Sequence, residues 1–330
     1  MKRIFSSALF LSVTLFVMSC NSGEATNQAK QISASKDQEN SYACSMHPEV
    51  TGKEGDRCPK CGMTLVKRKA SSNSNAYYMQ LATTPAKIIP NKEVVFLLTP
   101  QKKDTTNEQV TLETAHEKKI HLILVSHDLS WFDHVHPELT ADGSYRVKTA
   151  FPAAGHYLAF ADYKPVGGDH VVNKIELHVE GAVPPVKQYT GEKLSGASGK
   201  YAFSVKPIGG QFVAGNGMQM EGVIEKSGQA VDVNTFTDYL GAKAHIVIIG
   251  MDDKEYLHVH PEVVNGKFNI HTTFNKPGIY RGWIQFNGDD KLHTIDFTLN
   301  VKQGATLDAT KDNPSNSSTT HGEHQAEHHH

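Results

Sequence analysis

The chain repeats itself. The segment His121-Leu-Ile-Leu-Val125 is matched by His245-Ile-Val-Ile-Ile249, and thirteen residues on, both copies read His-Val-His-Pro-Glu, at 134–138 and 258–262. Residues 151–157 (FPAAGHY) then align with 274–280 (FNKPGIY), and with a one-residue gap His170 aligns with His293. A unit of about 105 residues is large enough to bury a core of its own, so the chain must use one domain twice.

The repeated unit is β-structured. Apolar, β-branched runs at 94–98, 120–125, 157–160 and 175–179, and again at 245–249, 279–286 and 295–301, are separated by Gly, Pro, Asn and Asp turns. No helical period extends beyond two turns. The pattern predicts an all-β protein with two tandem Ig-like β-sandwich modules at 77–182 and 198–303, joined by a linker at 183–197 containing Pro184-Pro185. With 38% hydrophobic residues the chain can fill both cores. A formal net charge of -2, without a Lys/Arg block, excludes the electrostatic footprint of a nucleic-acid partner.

Histidine is the outlier, at 19 of 330 residues. The repeat serves as an internal control. His116, His127, His156, His178 and His271 have no counterpart in the other copy and read as ordinary surface or turn residues. The matched set is His121, His134, His136 and His170 in the first module and His245, His258, His260 and His293 in the second. Side chains at i and i+2 of a strand share a face, so each His-Val-His is a two-nitrogen clamp, and the Pro after it places the clamp near a rim. Three or four imidazoles converging at one end of a sandwich would hold Zn(II) or Cu(II). The second copy is the stronger candidate, with Glu138 and Glu262 as carboxylates able to orient an imidazole. The alternative is a hydrogen-bonded ladder that only stabilises each module. Met218 and Met220 share a strand face and are expected in the core rather than as thioether ligands. The second copy, with LGAKAH at 240–245, LHVHPE and LHTIDF, is similar to a bacterial envelope module found near copper-handling genes. That resemblance spans both repeats and implies no activity.

The first twenty residues read as an export signal. Lys2 and Arg3 precede an apolar run at 4–18, too short for a bilayer span of ~20 residues, which ends in Val17-Met18-Ser19-Cys20. This resembles the lipobox of bacterial lipoproteins. The resemblance implies a signal at 1–19, a lipidated Cys20, and a protein anchored to a membrane and facing the periplasm or cell surface. Residues 20–41, polar and aperiodic, then form a disordered tether.

Residues 42–66 read YACSMHPEVTGKEGDRCPKCGMTLV. Cys44 and His47 form one pair and Cys58 and Cys61 another, a Cys3His set suited to a tetrahedral ion. With Cys20 lipidated, three thiols remain, an odd number that favours a metal over disulfides, the rival being a Cys58–Cys61 bridge. The stretch closely resembles the heavy-metal-binding domain of pattern CPMHPEV…CPKCGM, found on copper and silver efflux ATPases and efflux adaptors. It departs at Ser45, where the family has Pro. Met46 and Met63 add soft thioethers that favour Cu(I), although Cys3His alone would equally hold zinc. This knuckle occupies 42–68, with a linker at 69–76. The hosts of such domains carry membrane helices or a helical hairpin, and neither is legible here. A disordered tail at 304–330, with His321, His324 and His328 to His330, can bind metal weakly.

The expected function is non-enzymatic: a lipid-anchored envelope protein that captures copper or another heavy metal, buffers it, or delivers it to an efflux partner. The alternatives are a cupin-like metalloenzyme, whose His-x-His spacing is only loosely met, and a structural sandwich protein with a zinc-stabilised knuckle.

Overall fold

The computed structural model describes residues 42–44, 50–59, 62, 64–67, 76–103, 105 and 109–304. The expectations for the signal, Cys20, the tether, the tail, Met46, His47, Cys61 and Met63 lie outside these residues. No α-helix occurs among the described residues, in keeping with an all-β chain.

Three short strands, β1 (Tyr42–Ala43), β2 (Thr51–Gly52) and β3 (Val66–Lys67), form a small sheet in the order β2-β1-β3. The first module follows with β4 (Tyr77–Thr84), β5 (Glu93–Lys102), β6 (Ile120–Ser126), β7 (Phe132–Val135), β8 (Glu138–Leu139), β9 (Tyr145–Ala150), β10 (Gly155–Tyr163) and β11 (Val171–Val179). Its two sheets run β4-β5-β9-β8 and β11-β10-β6-β7. The second module comprises β12 (Ser195–Ser198), β13 (Tyr201–Pro207), β14 (Gly217–Lys226), β15 (Gln229–Ala230), β16 (His245–Gly250), β17 (Tyr256–Val259), β18 (Glu262–Val264), β19 (Lys267–Thr273), β20 (Gly278–Gly288) and β21 (Lys291–Val301). Its sheets run β12-β13-β14-β19-β18 and β17-β16-β20-β21, the same order strand for strand once β12 and β15 are set aside.

Local details repeat with the topology. Gly155 and Gly278 open β10 and β20 at φ 137° and 144°, a backbone region closed to residues with a Cβ, which accounts for the shared glycine. Two residues on, Tyr157 and Tyr280 donate their hydroxyls to the carbonyls of Ala153 and Lys276, four residues back, a corner typical of Ig-like sandwiches.

The uninterrupted apolar runs of β6 and β16 are explained by burial on both faces. Ile120, Leu122 and Leu124 face the first module's core with Phe96, Phe151 and Tyr163, whereas Ile246 and Ile248 join Phe203, Phe286 and Phe297 in the second. Met218 and Met220 are buried in that second core. The opposite faces of the two strands meet each other: Ile123, Val125, Leu158 and Phe160 pack with Val247, Ile249 and Trp283. Phe132 stacks on Trp283 at 4.7 Å and Phe160 on Tyr256 at 4.9 Å. Four sheets are therefore layered, with the inner sheet of each module against that of the other. Fully burying each such side chain stabilises the junction by ~1.5–3 kcal/mol.

Candidate metal centre

The histidines of the two modules converge on one another across this junction. His121 begins the outward face of β6, His134 lies opposite Ile123 on β7, and the same register carries His136 opposite His121 just past the ladder. The second module repeats the arrangement, with His258 opposite Val247 and His260 carried opposite His245. Each outward face thus holds three imidazoles at one end of the apolar patch that joins the modules.

Their ring nitrogens face inward. His134 Nε2 lies 3.2 Å from His121 Nδ1 and 3.0 Å from His136 Nε2. His245 Nδ1 lies 3.2 Å from His258 Nε2 and 3.0 Å from His260 Nε2. The trio His121, His134 and His136 can present one ligand atom each within 4.8 Å of the others, and so can His121, His245 and His258, which links the two modules through His121.

The far side of each ring decides what the near side can offer. His121 Nε2 donates to the Ala115 carbonyl at 3.0 Å, and His245 Nε2 to the Tyr239 carbonyl at 2.9 Å, leaving Nδ1 of both rings as lone pairs. His134 Nδ1 lies 2.7 Å from Gln285 Oε1 and donates to it, while Gln285 Nε2 donates to Thr294 Oγ1. His121 Nδ1 and His134 Nε2 therefore confront each other as two acceptors, a repulsive contact that a cation between them converts into coordination. Nitrogens ~2.0–2.1 Å from a tetrahedral ion lie ~3.3 Å apart, close to the separations seen. In the second trio, His260 Nδ1 is sealed from solvent without a hydrogen-bond partner.

The modules brace each other's rings. Asp162 and Gln285 occupy equivalent positions, paired with His121 and His245 in their own sheets. Each reaches across the junction: Gln285 to His134, and Asp162 to His258 Nδ1 at 3.1 Å. Asp162, only 2% exposed, also accepts from His170 Nε2 and from the Tyr256 hydroxyl at 3.1 Å. Burial pushes its pKa up, but the charge and hydrogen bond of His170, with the bond from His258, hold it well below the usual carboxylate range. Burial, reinforced by neighbouring imidazoles, lowers His121 to about 4, His136 to about 3 and His245 to about 2, and holds His134 and His260 well below the ordinary value. At neutral pH these five rings are uncharged, the form a metal requires.

Several expectations need correction. The His sets do not form separate sites at the ends of two sandwiches; they form two adjoining trios between them, because β6 and β16 bury both faces. His293 belongs to neither trio. Its nitrogens bond Ser198 Oγ and the Gly288 carbonyl, and its ring packs on Tyr201 and Phe286. Phe286 pairs with His293 where the first module pairs Tyr163 with Val171, so His293 is the counterpart of Val171. The one-residue gap in the alignment is a one-residue slip along a strand, which turns a side chain to the other face. His170 sits behind the rings, on Asp162. Glu262 pairs with Arg57 and the side chain of Glu138 is exposed, so neither orients an imidazole of the trios.

Other residues at the centre were not anticipated. His116, taken as a surface residue, stacks on His260 with ring centroids 3.7 Å apart. Asp162, Gln285, Tyr239 and Tyr256 were missed altogether. The legible signal was one acid in LAFADY and one amide in GWIQF, polar residues at matching points of two apolar strands.

In the N-terminal knuckle, Cys44 and Cys58 are buried with Leu65, against Tyr42 and Val50. The Gly62 N–H donates to the Cys58 carbonyl at 2.8 Å, with Gly62 at φ 76° closing the turn. The knuckle rests on the second module. Arg57 pairs with Glu262, Thr273 Oγ1 donates to the Pro59 carbonyl at 3.4 Å, and Gly62 lies against the ring of His271.

Residues 41–68 match the heavy metal binding domain family, and residues 72–181 and 197–303 match a domain of unknown function (DUF8832). No curated protein matches. Among solved structures, Escherichia coli alpha-2-macroglobulin activated by porcine elastase superposes with 9% identity and a TM-score of 0.25, over 69% of this chain and 20% of that one. The Escherichia coli adhesin FdeC gives 11%, 0.23, 72% and 67%, and the Yersinia pseudotuberculosis adhesin InvE gives 11%, 0.21, 69% and 60%, in the same order. Overlaps this partial carry no argument about function. The two copies of the domain of unknown function fill more than half of the sequence, and the chain belongs to that family, with a heavy-metal-binding domain ahead of the pair.

Proposed function

We propose that the chain is a lipid-anchored envelope protein that captures copper, or a chemically similar soft-to-borderline ion such as zinc, and buffers it or passes it to an efflux partner. Two donor sets support this. In its sequence the knuckle offers Cys44, Cys58 and Cys61 with His47, and Met46 and Met63 near them along the chain, a soft set suited to Cu(I). The junction supplies six imidazoles suited to Cu(II) or Zn(II). The observation that carries the reading is the contact of His121 Nδ1 and His134 Nε2, two lone pairs 3.2 Å apart whose rings are oriented by bonds to Ala115 and Gln285.

The reading is of binding and transfer rather than turnover. His121, His134, His245 and His258 are 1–6% exposed, a setting suited to enclosing an ion rather than admitting an organic substrate. The sequence at 1–20 supports export and lipid attachment at Cys20, which would hold the donor sets at a membrane surface.

The test is metal content of the full chain after exposure to Cu(I), Cu(II) or Zn(II) and desalting, with and without Cys58→Ser and the pair His134→Ala and His258→Ala. Copper is expected to fall in each variant. Unchanged copper in all of them would refute the reading, and acyl labelling absent from a Cys20→Ala variant but present in the parent checks the anchor.

A further inference from the structure

Two imidazole trios meet at one junction, and the question they raise is whether they hold one ion or two. We infer that they form a single dinuclear centre astride the module boundary, holding two first-row ions through imidazole nitrogen, with chemically unequal halves. This inference rests on the reading that the histidines take metal, and specifies how.

Three observations lead to it. First, the repeat provides two sets of donors. His121, His134 and His136 can all present nitrogens within 4.8 Å of one another. In the other module His245 Nδ1 lies 3.2 Å from His258 Nε2 and 3.0 Å from His260 Nε2, close to the ~3.3 Å between two nitrogens on one tetrahedral ion. Second, the sets adjoin. His121 also lies within 4.8 Å, ligand atom to ligand atom, of His245 and His258. With metal–nitrogen bonds of ~2.0–2.1 Å, two ions would sit at most about 10 Å apart. Third, the groups behind the rings cross over. His134, in the first trio, leans on Gln285 of the second module, whereas His258, in the second, leans on Asp162 of the first. Each trio takes its imidazoles from one module and the support of one ring from the other, so loading the centre also ties the modules together.

The crossed supports make the halves unequal. A carboxylate behind a ligand imidazole raises its basicity and offsets the ion's charge, while a neutral amide only orients the ring; such supports change affinity ~10–100-fold. The half built on His245, His258 and His260 is therefore the tighter and fills first. The sealed, partnerless His260 Nδ1 and the His116 ring stacked on His260 lie on that same half.

The test uses the full chain with its other donors silenced, by Cys44→Ser, Cys58→Ser and Cys61→Ser in the knuckle and His→Ala at 321, 324 and 328–330. Cu(II) is titrated in and read by metal analysis and electron paramagnetic resonance. Two ions per chain are expected, with the spectrum broadened by dipolar coupling as the second enters. His136→Ala and His260→Ala, at the rims, should each leave one ion and an unbroadened spectrum, with the tighter site lost in His260→Ala. Circular dichroism and thermal melts check that both variants fold. One ion per chain in the parent, two ions without coupling, or loss of both ions from either folded rim variant would overturn the dinuclear centre while leaving metal binding intact. No ion at all would overturn the reading on which it rests.

Discussion

Replacing Asp162 with Asn separates the electrostatic role of the junction from its shape. The carboxylate is almost fully buried and accepts from His170, His258 and Tyr256, the last two at 3.1 Å. Asparagine keeps the volume but loses the charge and turns one acceptor oxygen into a donor, so at least one of three donors loses its partner. A hydrogen bond to a charged group contributes ~1.5–3 kcal/mol, and breaking one side of a buried charge pair costs ~3–5 kcal/mol. Asp162→Asn should therefore destabilise the chelator-treated chain by about 3–5 kcal/mol. Gln285→Ala leaves one neutral donor unpaired and should cost ~1–3 kcal/mol. Urea unfolding at pH 7.5, followed by fluorescence of Trp131 and Trp283, measures both. A loss below ~1 kcal/mol for Asp162→Asn, or one no larger than for Gln285→Ala, would refute the assignment of Asp162 as the buried anion that braces the second trio.

Three further outcomes are expected. The chelator-treated chain should lose stability as pH falls. Below about 6.5 the unfolded chain protonates its imidazoles, while folded His121 and His245 stay neutral down to about 4 and about 2. The unfolded state then binds more protons, so each of these groups costs ~1.4 kcal/mol per pH unit through that window. Urea midpoints that stay flat between pH 7 and 5 would contradict this. Trp283→Ala, at the apolar patch between modules, should destabilise by ~3–5 kcal/mol while leaving metal at the knuckle unchanged, as read by melts and metal analysis. His293→Gln should leave metal content at the junction unaltered, because its ring is held by Ser198 and Gly288; a lost ion would return it to the ligand set.

Much of the architecture is legible in the chain's own order of residues. Alternating runs and turns set the strands, duplication sets two like modules, and the i, i+2 spacing of His134/His136 and His258/His260 puts each pair on one face, because the pleat allows nothing else. Retention of the same His positions in both copies narrows the histidines to eight, and the six rings that meet are among them, with His170 and His293 as the two that do not. The heavy-metal-binding domain at the N-terminal end is legible from the spacing of its Cys and His residues. Which face of β6 meets which face of β16 is not, since a continuous apolar run shows that both sides are covered without naming the cover. The crossed supports Asp162–His258 and Gln285–His134 join residues 96 and 151 positions apart and exist only once the modules dock. For the same reason His293 misled: its place in the sequence resembles that of His170, but strand register, set by pairing with Phe286, turns it into its own module. Local sequence determines the rings and the faces they occupy; the docking of two sheets decides that they confront one another, because that contact is made by long-range packing which no local pattern encodes.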